Sequence, residues 1–165
     1  MKYGLIGKPL GHSFSREIHA LIADYDYRLF EIDEDELPRF FQERDFSGIN
    51  VTIPYKQAVI PYLDEISDEA KKIGAVNTIV TQEGKLFGFN TDFFGMRALI
   101  KSAELDLENK TVLILGTGGT SKTAVEVSKS LGATEIVKVS RKKSSDTVTY
   151  DEAYEKFSGA DVIIN

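Results

Sequence analysis

The chain of 165 residues contains no cysteine and only two histidines, His12 and His19. The lack of cysteine excludes a disulfide, a thiol nucleophile and a cysteine-ligated metal within this sequence. Two histidines are too few for a convincing metal site, because such sites usually combine several histidine, cysteine or carboxylate ligands. We therefore expect a metal-free protein of the cytoplasm.

Positive charge and long apolar runs are also lacking. The formal net charge is −6, which argues against nonspecific nucleic-acid binding, since that needs a basic surface to displace counterions. No apolar stretch approaches the about 20 residues that cross a bilayer as a helix. Residues 1–7 indicate a strand and lack the long apolar core and cleavage site of a signal peptide. We expect a protein that binds neither nucleic acid nor membrane.

Short apolar strands alternate with helical patterns along nearly the whole chain, which predicts an α/β fold with parallel sheets. The predicted strands of the first part cover 3–7, 27–32, 48–52, 76–81 and 85–89. Its predicted helices cover 15–25, 56–63, 67–73 and about 91–103, and an apolar stripe at 37–41 predicts a further helix. Ser13 or Ser15 is the candidate cap of the first helix, and the turn at 82–84 predicts a hairpin.

The second part begins after a polar break at 108–110. Its predicted strands cover 111–115, 135–139 and 161–164, and its predicted helices cover 120–131 and 151–157. We therefore expect a substrate-binding α/β domain over 1–102 and the first half of a Rossmann-type, dinucleotide-binding domain over 103–165. A doubly wound dinucleotide domain has two mononucleotide halves, and only about one is present here. The second domain is therefore expected to be truncated.

A glycine-rich turn, residues 116–119, lies between the predicted strand at 111–115 and the helix that follows it. Together with Ser121 it fits the dinucleotide-binding pattern Gly-x-Gly-x-x-small. The first glycine permits a tight turn, and the second lets a pyrophosphate approach the backbone at the start of the helix. The strand–turn–helix context favours a cofactor site over the alternative, a turn that serves packing only.

A basic loop follows the next strand, about twenty residues further on, where an NAD-specific domain would place a carboxylate for the ribose. The sequence has Ser140-Arg141-Lys142-Lys143 there instead. Arg141 can form a bidentate pair with a 2′-phosphate, and the lysines add positive charge. The loop therefore favours NADP(H), and the alternative is an ordinary solvated basic loop.

Three polar clusters of the first part place uncharged hydrogen-bonding side chains at the edges of apolar strands: Asn50–Lys56, Gly74–Thr78 and Asn90–Asp92. Two of the clusters end in a charge, Lys56 or Asp92. Asparagine and threonine both donate and accept hydrogen bonds, as the ring hydroxyls of a substrate require. The clusters indicate an enzyme that holds a hydroxyl-rich substrate beside one amine and one carboxylate, and the glycine turn indicates redox chemistry.

Five motifs occur in order along the chain: His12–Ser15, Asn50–Lys56, Gly74–Thr78, Gly88–Gly95 and Gly116–Gly119. Together they resemble the shikimate dehydrogenases, which reversibly reduce 3-dehydroshikimate to shikimate with NADPH on the route to chorismate and the aromatic amino acids. The resemblance spans the whole chain. It implies an NADP-dependent oxidoreductase that acts on a small-molecule substrate.

The resemblance also implies a role for each matching residue. Lys56 and Asp92 correspond to the catalytic pair. Contacts to the carboxylate and ring hydroxyls of the substrate are implied for Ser13, Ser15, Asn50, Thr52, Lys56, Asn77 and Asp92. The residues implied to hold NADP(H) are Gly116, Thr117, Gly118, Gly119, Thr120, Ser140, Arg141, Lys142 and Lys143. Whether Lys56 donates the proton or clamps the carbonyl oxygen electrostatically stays open.

Some residues depart from the family's pattern or have an alternative explanation. Arg16 stands where the family often has proline, and Ala20 and Ser140 stand where it often has asparagine. These departures leave cofactor preference less determined than cofactor use. Helix capping is the alternative explanation for Ser13 and Ser15.

Two different interpretations of the same motifs stay open. A quinate/shikimate dehydrogenase that uses NAD would share most of the motifs, and Arg141 argues against it. A non-catalytic substrate-binding fragment would keep the substrate contacts without completing the cofactor domain. A structural role is preferred for Asn90, and structural roles are also expected for His12 and His19. The sequence does not determine the oligomeric state.

Overall fold

The computed structural model describes residues 2–165 of the chain. These residues group into two compact units, the first ending at Thr91 and the second running from Asp92 to Asn165. The sequence placed the change of domain at 102, whereas the helix that starts at Thr91 falls almost entirely within the second unit. Within the described range, no helix is long and apolar enough to span a membrane, and no group of acidic or histidine side chains is placed to hold a metal ion.

The first unit is built on a six-stranded sheet. Its strands are β1 Tyr3–Gly7, β2 Tyr27–Glu31, β3 Gly48–Val51, β4 Glu65–Ile66, β5 Thr78–Gln82 and β6 Lys85–Phe89. Its helices are α1 Ser15–Ile22, α2 Leu37–Glu43 and α3 Asp68–Ile73, and 3-10 turns cover Glu34–Glu36 and Ile60–Tyr62. The strand order is β2-β1-β3-β5-β6-β4.

This sheet is mixed, with parallel pairs as expected and antiparallel pairs beside them. β1 pairs in parallel with β2 and β3, and β4 pairs in parallel with β6, whereas β5 runs antiparallel to both β3 and β6. The β5–β6 pair confirms the predicted hairpin. Glu83 and Gly84 have φ values of 51° and 76°, and a two-residue hairpin turn of type I′ requires positive φ at both positions.

Helix α1 is shorter than predicted, and no serine side chain caps it. It ends at Ile22 instead of Tyr25, and its N-cap residue is Phe14, which makes no side-chain cap hydrogen bond. Ser13 Oγ accepts the N–H of Ser15 at 3.2 Å, so it stabilises the approach to the helix and leaves the cap position to Phe14. The expectation that Ser13 or Ser15 caps the helix is wrong. No residue of α1 is buried within the described structure.

Residues 56–63 do not form the predicted α-helix. A series of turns follows Lys56, and only the 3-10 turn at Ile60–Tyr62 forms. Pro61 explains the difference, because proline lacks an N–H and its ring clashes with the preceding turn when it lies inside a helix. In the first turn, where Pro61 lies, neither problem arises. Tyr62 then stacks on Phe41 of α2 with 5.1 Å between ring centroids.

One face of the first sheet carries the main hydrophobic core. Ile6 of β1, Ile49 of β3 and Ile79 of β5 are almost completely buried there, and Leu37 and Phe41 of α2 belong to the same cluster. Helix α2 supplies these two side chains at helical spacing, as the apolar stripe at 37–41 predicts. This core fixes which side of each strand faces inward.

The opposite face of the same sheet is polar over β3 and β5. Successive side chains of a strand point to opposite faces, so the neighbours of the buried isoleucines lie on this second face. The register aligns Leu5 with Asn50, and Asn50 with Thr78. The core therefore positions Asn50 and Thr78 side by side, because a one-residue slip would move the isoleucines out of the core.

The second unit holds a three-stranded parallel sheet in the order β8-β7-β9. Its strands are β7 Thr111–Leu115, β8 Glu135–Val139 and β9 Val162–Ile164. The helices are α4 Thr91–Ser102, α5 Gly119–Ser130 and α6 Tyr150–Phe157. Val112 and Ile114 of the central strand are buried, as a continuous apolar run in a parallel sheet predicts. The strand–helix alternation confirms the α/β class.

Candidate functional site

A cavity of about 380 Å³ opens beside the ends of β1 and β3 in the first unit. Three residues with an implied substrate contact line it, Ser13, Ser15 and Thr52. The two serine hydroxyl oxygens are 3.1 Å apart. Thr52 follows β3, and its N–H donates to the carbonyl oxygen of Ile6 at 3.0 Å, which fixes its backbone. The cavity therefore gathers hydroxyl groups that suit a polar ligand.

The same cavity has a cation that the sequence did not single out. Lys8 lines it and pairs with Asp33 at 2.5 Å. The hydrogen bond to Asp33 is the main reason that the pKa of the Lys8 ammonium is raised. Lys8 directly follows β1, so a charged residue at the end of an apolar strand was the available signal.

A chain of hydrogen-bonded side chains runs across the polar face of the first sheet. The Tyr27 hydroxyl donates to Asn50 Oδ1 at 2.8 Å. Asn50 Nδ2 donates to Thr78 Oγ1 at 3.3 Å, and the Thr78 hydroxyl donates to Asn77 Oδ1 at 3.1 Å. Two predicted site residues, Asn50 and Asn77, are thus connected through Thr78, and Tyr27 extends the chain beyond Asn50. The prediction omitted both Thr78 and Tyr27.

Asn77 is buried, with 8% of its surface exposed, and its carboxamide oxygen accepts three hydrogen bonds. Besides the Thr78 hydroxyl, the N–H and the hydroxyl of Thr91 donate to Oδ1 at 2.8 and 3.1 Å. Thr91 begins α4, and the first N–H groups of a helix have no partner within it. Asn77 therefore serves one of these groups, and α4 helps to hold the side chain.

Tyr27 begins the chain of hydrogen bonds from a buried position, with only 5% of its surface exposed. Burial raises the pKa of its hydroxyl to about 12, although a hydrogen bond from Ser15 acts in the opposite direction. The ring of His19 stacks on the Tyr27 ring at 3.8 Å, and His19 Nδ1 contacts the Tyr25 hydroxyl. His19 therefore has the structural role expected for it.

Asn90 also has the structural role expected for it. It is 2% exposed, and its Nδ2 donates to the carbonyl oxygen of Ala75 at 3.0 Å. This bond ties the end of β6 to the segment before β5. Asn90 thereby supports the backbone on which Asn77 is mounted.

Lys56 and Asp92 fall in different compact units. Lys56 is half-buried, and its carbonyl oxygen accepts the N–H of Val76 at 2.7 Å, which fixes its backbone next to the residue that precedes Asn77. Asp92 follows Thr91 directly in the first turn of α4. The pairing of Lys56 with Asp92 stays a prediction.

The glycine turn of the second unit follows β7 and leads into α5. Gly116 has a φ of +106°, a conformation that favours glycine. An added Cβ at Gly118 or Gly119 would meet no atom within 4 Å, so the start of α5 is open. The first N–H groups of α5 lack partners within the helix and make a site for an anion. The residues present therefore fit the pyrophosphate of a dinucleotide.

The residues of the basic loop that are predicted to bind the 2′-phosphate differ in their contacts. Ser140 Oγ accepts the N–H of Lys142 at 3.4 Å, which folds the start of the loop. Lys143 forms an ion pair with Glu152 of α6, and this pair is the main reason that the pKa of the Glu152 carboxyl is lowered. All three cations of the loop are exposed, and Lys143 differs from Arg141 and Lys142 in being already paired with a carboxylate.

Comparison with known proteins identifies the family. Residues 5–79 match the family model of the shikimate dehydrogenase substrate binding domain. The shikimate 5-dehydrogenase of Thermus thermophilus, solved with NADP(H) and shikimate, is 30% identical with a TM-score of 0.85, and the match covers 99% of this chain and 67% of that one. The chain belongs to the shikimate dehydrogenase family.

Two further shikimate dehydrogenases support this placement. The NADP(+)-dependent enzyme of Clostridium beijerinckii is 40% identical over 178 residues, which cover 99% of this chain and 66% of the relative. A chorismate mutase/shikimate 5-dehydrogenase fusion protein from Clostridium acetobutylicum has a TM-score of 0.90 at 37% identity and covers 99% of this chain and 64% of that one.

These shikimate dehydrogenases confirm the resemblance drawn from the motifs and the Rossmann-like α/β class. The chain spans 55 to 66% of the length of the first curated relatives. The matched substrate-binding region contains Ser13, Ser15, Asn50, Lys56 and Asn77, whereas Asp92 and the cofactor residues lie beyond it.

Proposed function

We propose that this chain provides the substrate-binding domain and the first half of the NADP(H)-binding domain of a shikimate dehydrogenase. Five implied substrate contacts gather in the first unit, and this observation supports the proposal most. Three of them, Ser13, Ser15 and Thr52, line one cavity, and two, Asn50 and Asn77, belong to one hydrogen-bonded chain. The cysteine-free composition agrees with a cytoplasmic enzyme.

The substrate would be held through its carboxylate and its ring hydroxyls. The Ser13 hydroxyl donates to Ser15 in the structure, and both serine hydroxyls can rotate to donate to a carboxylate, whose charge strengthens each hydrogen bond. Thr52 and Asn77 supply a hydroxyl and a carboxamide that match the donor and acceptor capacity of ring hydroxyls. This division of contacts assigns the cavity to the carboxylate end of 3-dehydroshikimate.

Lys56 and Asp92 would manage the proton. NADPH, when bound, supplies the hydride for the ketone carbon. The Lys56 ammonium donates a proton to the developing alkoxide, and the neutral amine takes it back in the oxidative direction. The resemblance implies Asp92 as the second residue of this catalytic pair. An ammonium at this oxygen also stabilises its growing negative charge, so proton donation and electrostatic stabilisation act together.

The second unit would hold NADP(H) at the start of α5 and at the basic loop. The open turn at Gly116–Gly119 suits the pyrophosphate. Arg141 and Lys142 suit the 2′-phosphate, since both are accessible cations and arginine can bind a phosphate through two hydrogen bonds. These cations favour NADP(H) over NAD(H).

Calorimetric titration of the chain tests both halves of the proposal. We expect shikimate to bind more tightly than quinate, and NADPH more tightly than NADH. A chain that ignores shikimate contradicts the substrate assignment. Equal affinity for NADPH and NADH contradicts the cofactor assignment and favours the quinate-type, NAD-using alternative.

An NADPH-oxidation assay with 3-dehydroshikimate distinguishes an enzyme from a substrate-binding fragment. Substrate binding without turnover is the second candidate function. Where turnover is measurable, Lys56→Ala should lower kcat by about 10²–10⁴-fold, the usual contribution of a positioned acid. Lys72→Ala, which removes an exposed lysine of α3, is the matched control. Unchanged turnover in Lys56→Ala contradicts its catalytic assignment.

A further inference from the structure

The carboxamide of Asn77 has one allowed orientation, and the backbone of Thr91 decides it. A backbone N–H can only donate, and that of Thr91 lies 2.8 Å from Asn77 Oδ1. Exchanging the oxygen and nitrogen of the carboxamide would bring two donors together at this distance. Because the Thr78 and Thr91 hydroxyls also donate to Oδ1, the oxygen is saturated. Nδ2 is therefore the side of the group that offers hydrogens.

The hydrogen bonds behind Asn77 continue in the same direction. The Thr78 hydroxyl donates to Asn77 Oδ1 at 3.1 Å, and Thr78 Oγ1 accepts from Asn50 Nδ2 at 3.3 Å. Thr78 Oγ1 also lies 3.4 Å from Thr91 Oγ1, a contact in which either hydroxyl can donate. Asn50 then turns its oxygen toward Tyr27, whose hydroxyl donates at 2.8 Å. The three bonds point in the same direction, from Tyr27 on β2 through Asn50 on β3 and Thr78 on β5 to Asn77.

We propose that Tyr27, Asn50 and Thr78 are positioning residues that hold the Asn77 carboxamide as a hydrogen-bond donor to an acceptor oxygen of the bound ligand. The nature of the ligand, a ring hydroxyl of a shikimate-like acid, rests on the proposed function. The orientation rests on the geometry alone. Asn50 thereby acts on Asn77 through Thr78, to which its Nδ2 donates.

Tyr27 suits the first position because it stays a donor. Its hydroxyl is buried, so it is protonated far into the alkaline range. The stacked His19 ring holds the Tyr27 ring in place. A buried hydroxyl that loses its partner is disfavoured because its desolvation is no longer offset, so a reversed hydrogen bond at this position would be disfavoured too.

The side-chain amide signals of Asn77 in 15N-asparagine-labelled protein test the orientation without any ligand. Thr78→Val removes the hydroxyl at nearly the same shape, and Thr78→Ser keeps it. Tyr27→Phe removes the first donor, and Tyr154→Phe is its control because the Tyr154 side chain is exposed on α6. We expect Thr78→Val and Tyr27→Phe to shift the Asn77 signals, and the two controls to leave them near their original positions.

The dissociation constant for shikimate tests the consequence for binding. It should rise about three- to tenfold in Tyr27→Phe and Thr78→Val, the effect of one weakened hydrogen bond, and stay unchanged in Thr78→Ser and Tyr154→Phe. Backbone amide spectra show which variants fold. If Thr78→Val does not fold, Tyr27→Phe alone decides the outcome.

The two measurements separate this proposal from the proposed function. Asn77 signals that stay in place in Tyr27→Phe overturn the positioning role, whether or not shikimate binds. Shifted signals together with an unchanged shikimate dissociation constant overturn the role in ligand binding. Shifted signals in a chain that does not bind shikimate support the orientation and contradict the assigned substrate.

Discussion

Thr52 packs its methyl group against Gly7 so closely that a Cβ added at Gly7 would lie 2.4 Å from Thr52 Cγ2. The same atom would lie 3.0 Å from the carbonyl oxygen of Ile53. The end of β1 thus needs glycine because of the close approach of the chain that follows β3. This contact connects the packing of two parallel strands to a residue that lines the candidate cavity.

Gly7→Ala should therefore affect both stability and ligand binding. We expect a loss of about 1–3 kcal/mol in the free energy of unfolding, the usual cost of overpacking, and weaker shikimate binding because Thr52 is displaced. Thermal unfolding and calorimetry measure the two effects. Gly11→Ala is the matched control, since an added Cβ there meets nothing within 4 Å. Equal behaviour of the two variants contradicts this account of Gly7.

Asn77→Asp separates the structural role of the side chain from its role as a donor. The carboxylate can accept the three hydrogen bonds from Thr78 and Thr91, so we expect the fold to be retained. It offers no hydrogen to a ligand at neutral pH, so the affinity for shikimate should fall about tenfold or more. Circular dichroism and calorimetry check the two outcomes. Binding as tight as in the original chain would show that Asn77 does not donate to shikimate.

Arg141→Ala and Lys143→Ala should differ in their effect on cofactor binding. Arg141 is accessible, whereas Lys143 is paired with Glu152. A hydrogen bond to a charged group contributes about 1.5–3 kcal/mol, so Arg141→Ala should weaken binding of 2′,5′-ADP by about ten- to a hundredfold. The affinity for 5′-AMP, which lacks the 2′-phosphate, should not change. A larger loss in Lys143→Ala than in Arg141→Ala would reverse the assignment.

The Tyr27 hydroxyl should titrate with a pKa of about 12, well above the ordinary tyrosine value of about 10. The folded protein holds this proton more tightly than the unfolded chain, so its contribution to stability is complete below pH 10. That contribution falls as the pH rises toward 12, by roughly 2–3 kcal/mol in total. Absorbance at 295 nm shows the ionisation, and Tyr27→Phe should remove the late component. A difference spectrum that titrates near pH 10 would contradict the burial argument.

Glu152 should contribute stability that is lost in acid. Its pKa is lowered by Lys143 and by the N–H of Thr149, so the contribution is present above the ordinary glutamate pKa and disappears as the pH falls through the lowered value. Glu152→Gln keeps an acceptor for the capping box with Thr149 and removes the charge, so it should unfold with less pH dependence below about pH 5. Glu152→Ala loses both contacts and should have the lowest melting temperature of the three. If the stability of Glu152→Gln depends on acidic pH as strongly as that of the original chain, the ion pair is contradicted.

The sequence predicts the elements whose signals are local. The strand at 111–115 needs only its apolar run, and the hairpin around Glu83 and Gly84 needs only a turn that accepts positive φ. The helix expected at 56–63 failed because Pro61 permits no more than a 3-10 turn there. In each case the deciding residue lies within the segment itself.

The parts of the site that the sequence does not predict depend on register. Tyr27 is 23 positions from Asn50, and Asn50 is 28 positions from Thr78. No residue spacing in the sequence predicts that these side chains contact one another. They meet because β1 is the single strand between β2 and β3, and β5 lies next to β3. The buried isoleucines fix the register of each strand against the next. The motif containing Thr78 was recognisable, but its partner across the sheet was not.

Because the hydrogen bonds from Tyr27 to Asn77 share one direction, substitutions on this face of the sheet should be epistatic. A substitution at one position leaves a mismatch at the next, so the effects of single replacements should not add. The series ends on the Thr91 N–H, which remains a donor whatever side chain is substituted. The backbone N–H at the start of α4 is therefore a fixed donor. Substitutions on the three strands must remain compatible with it and with one another.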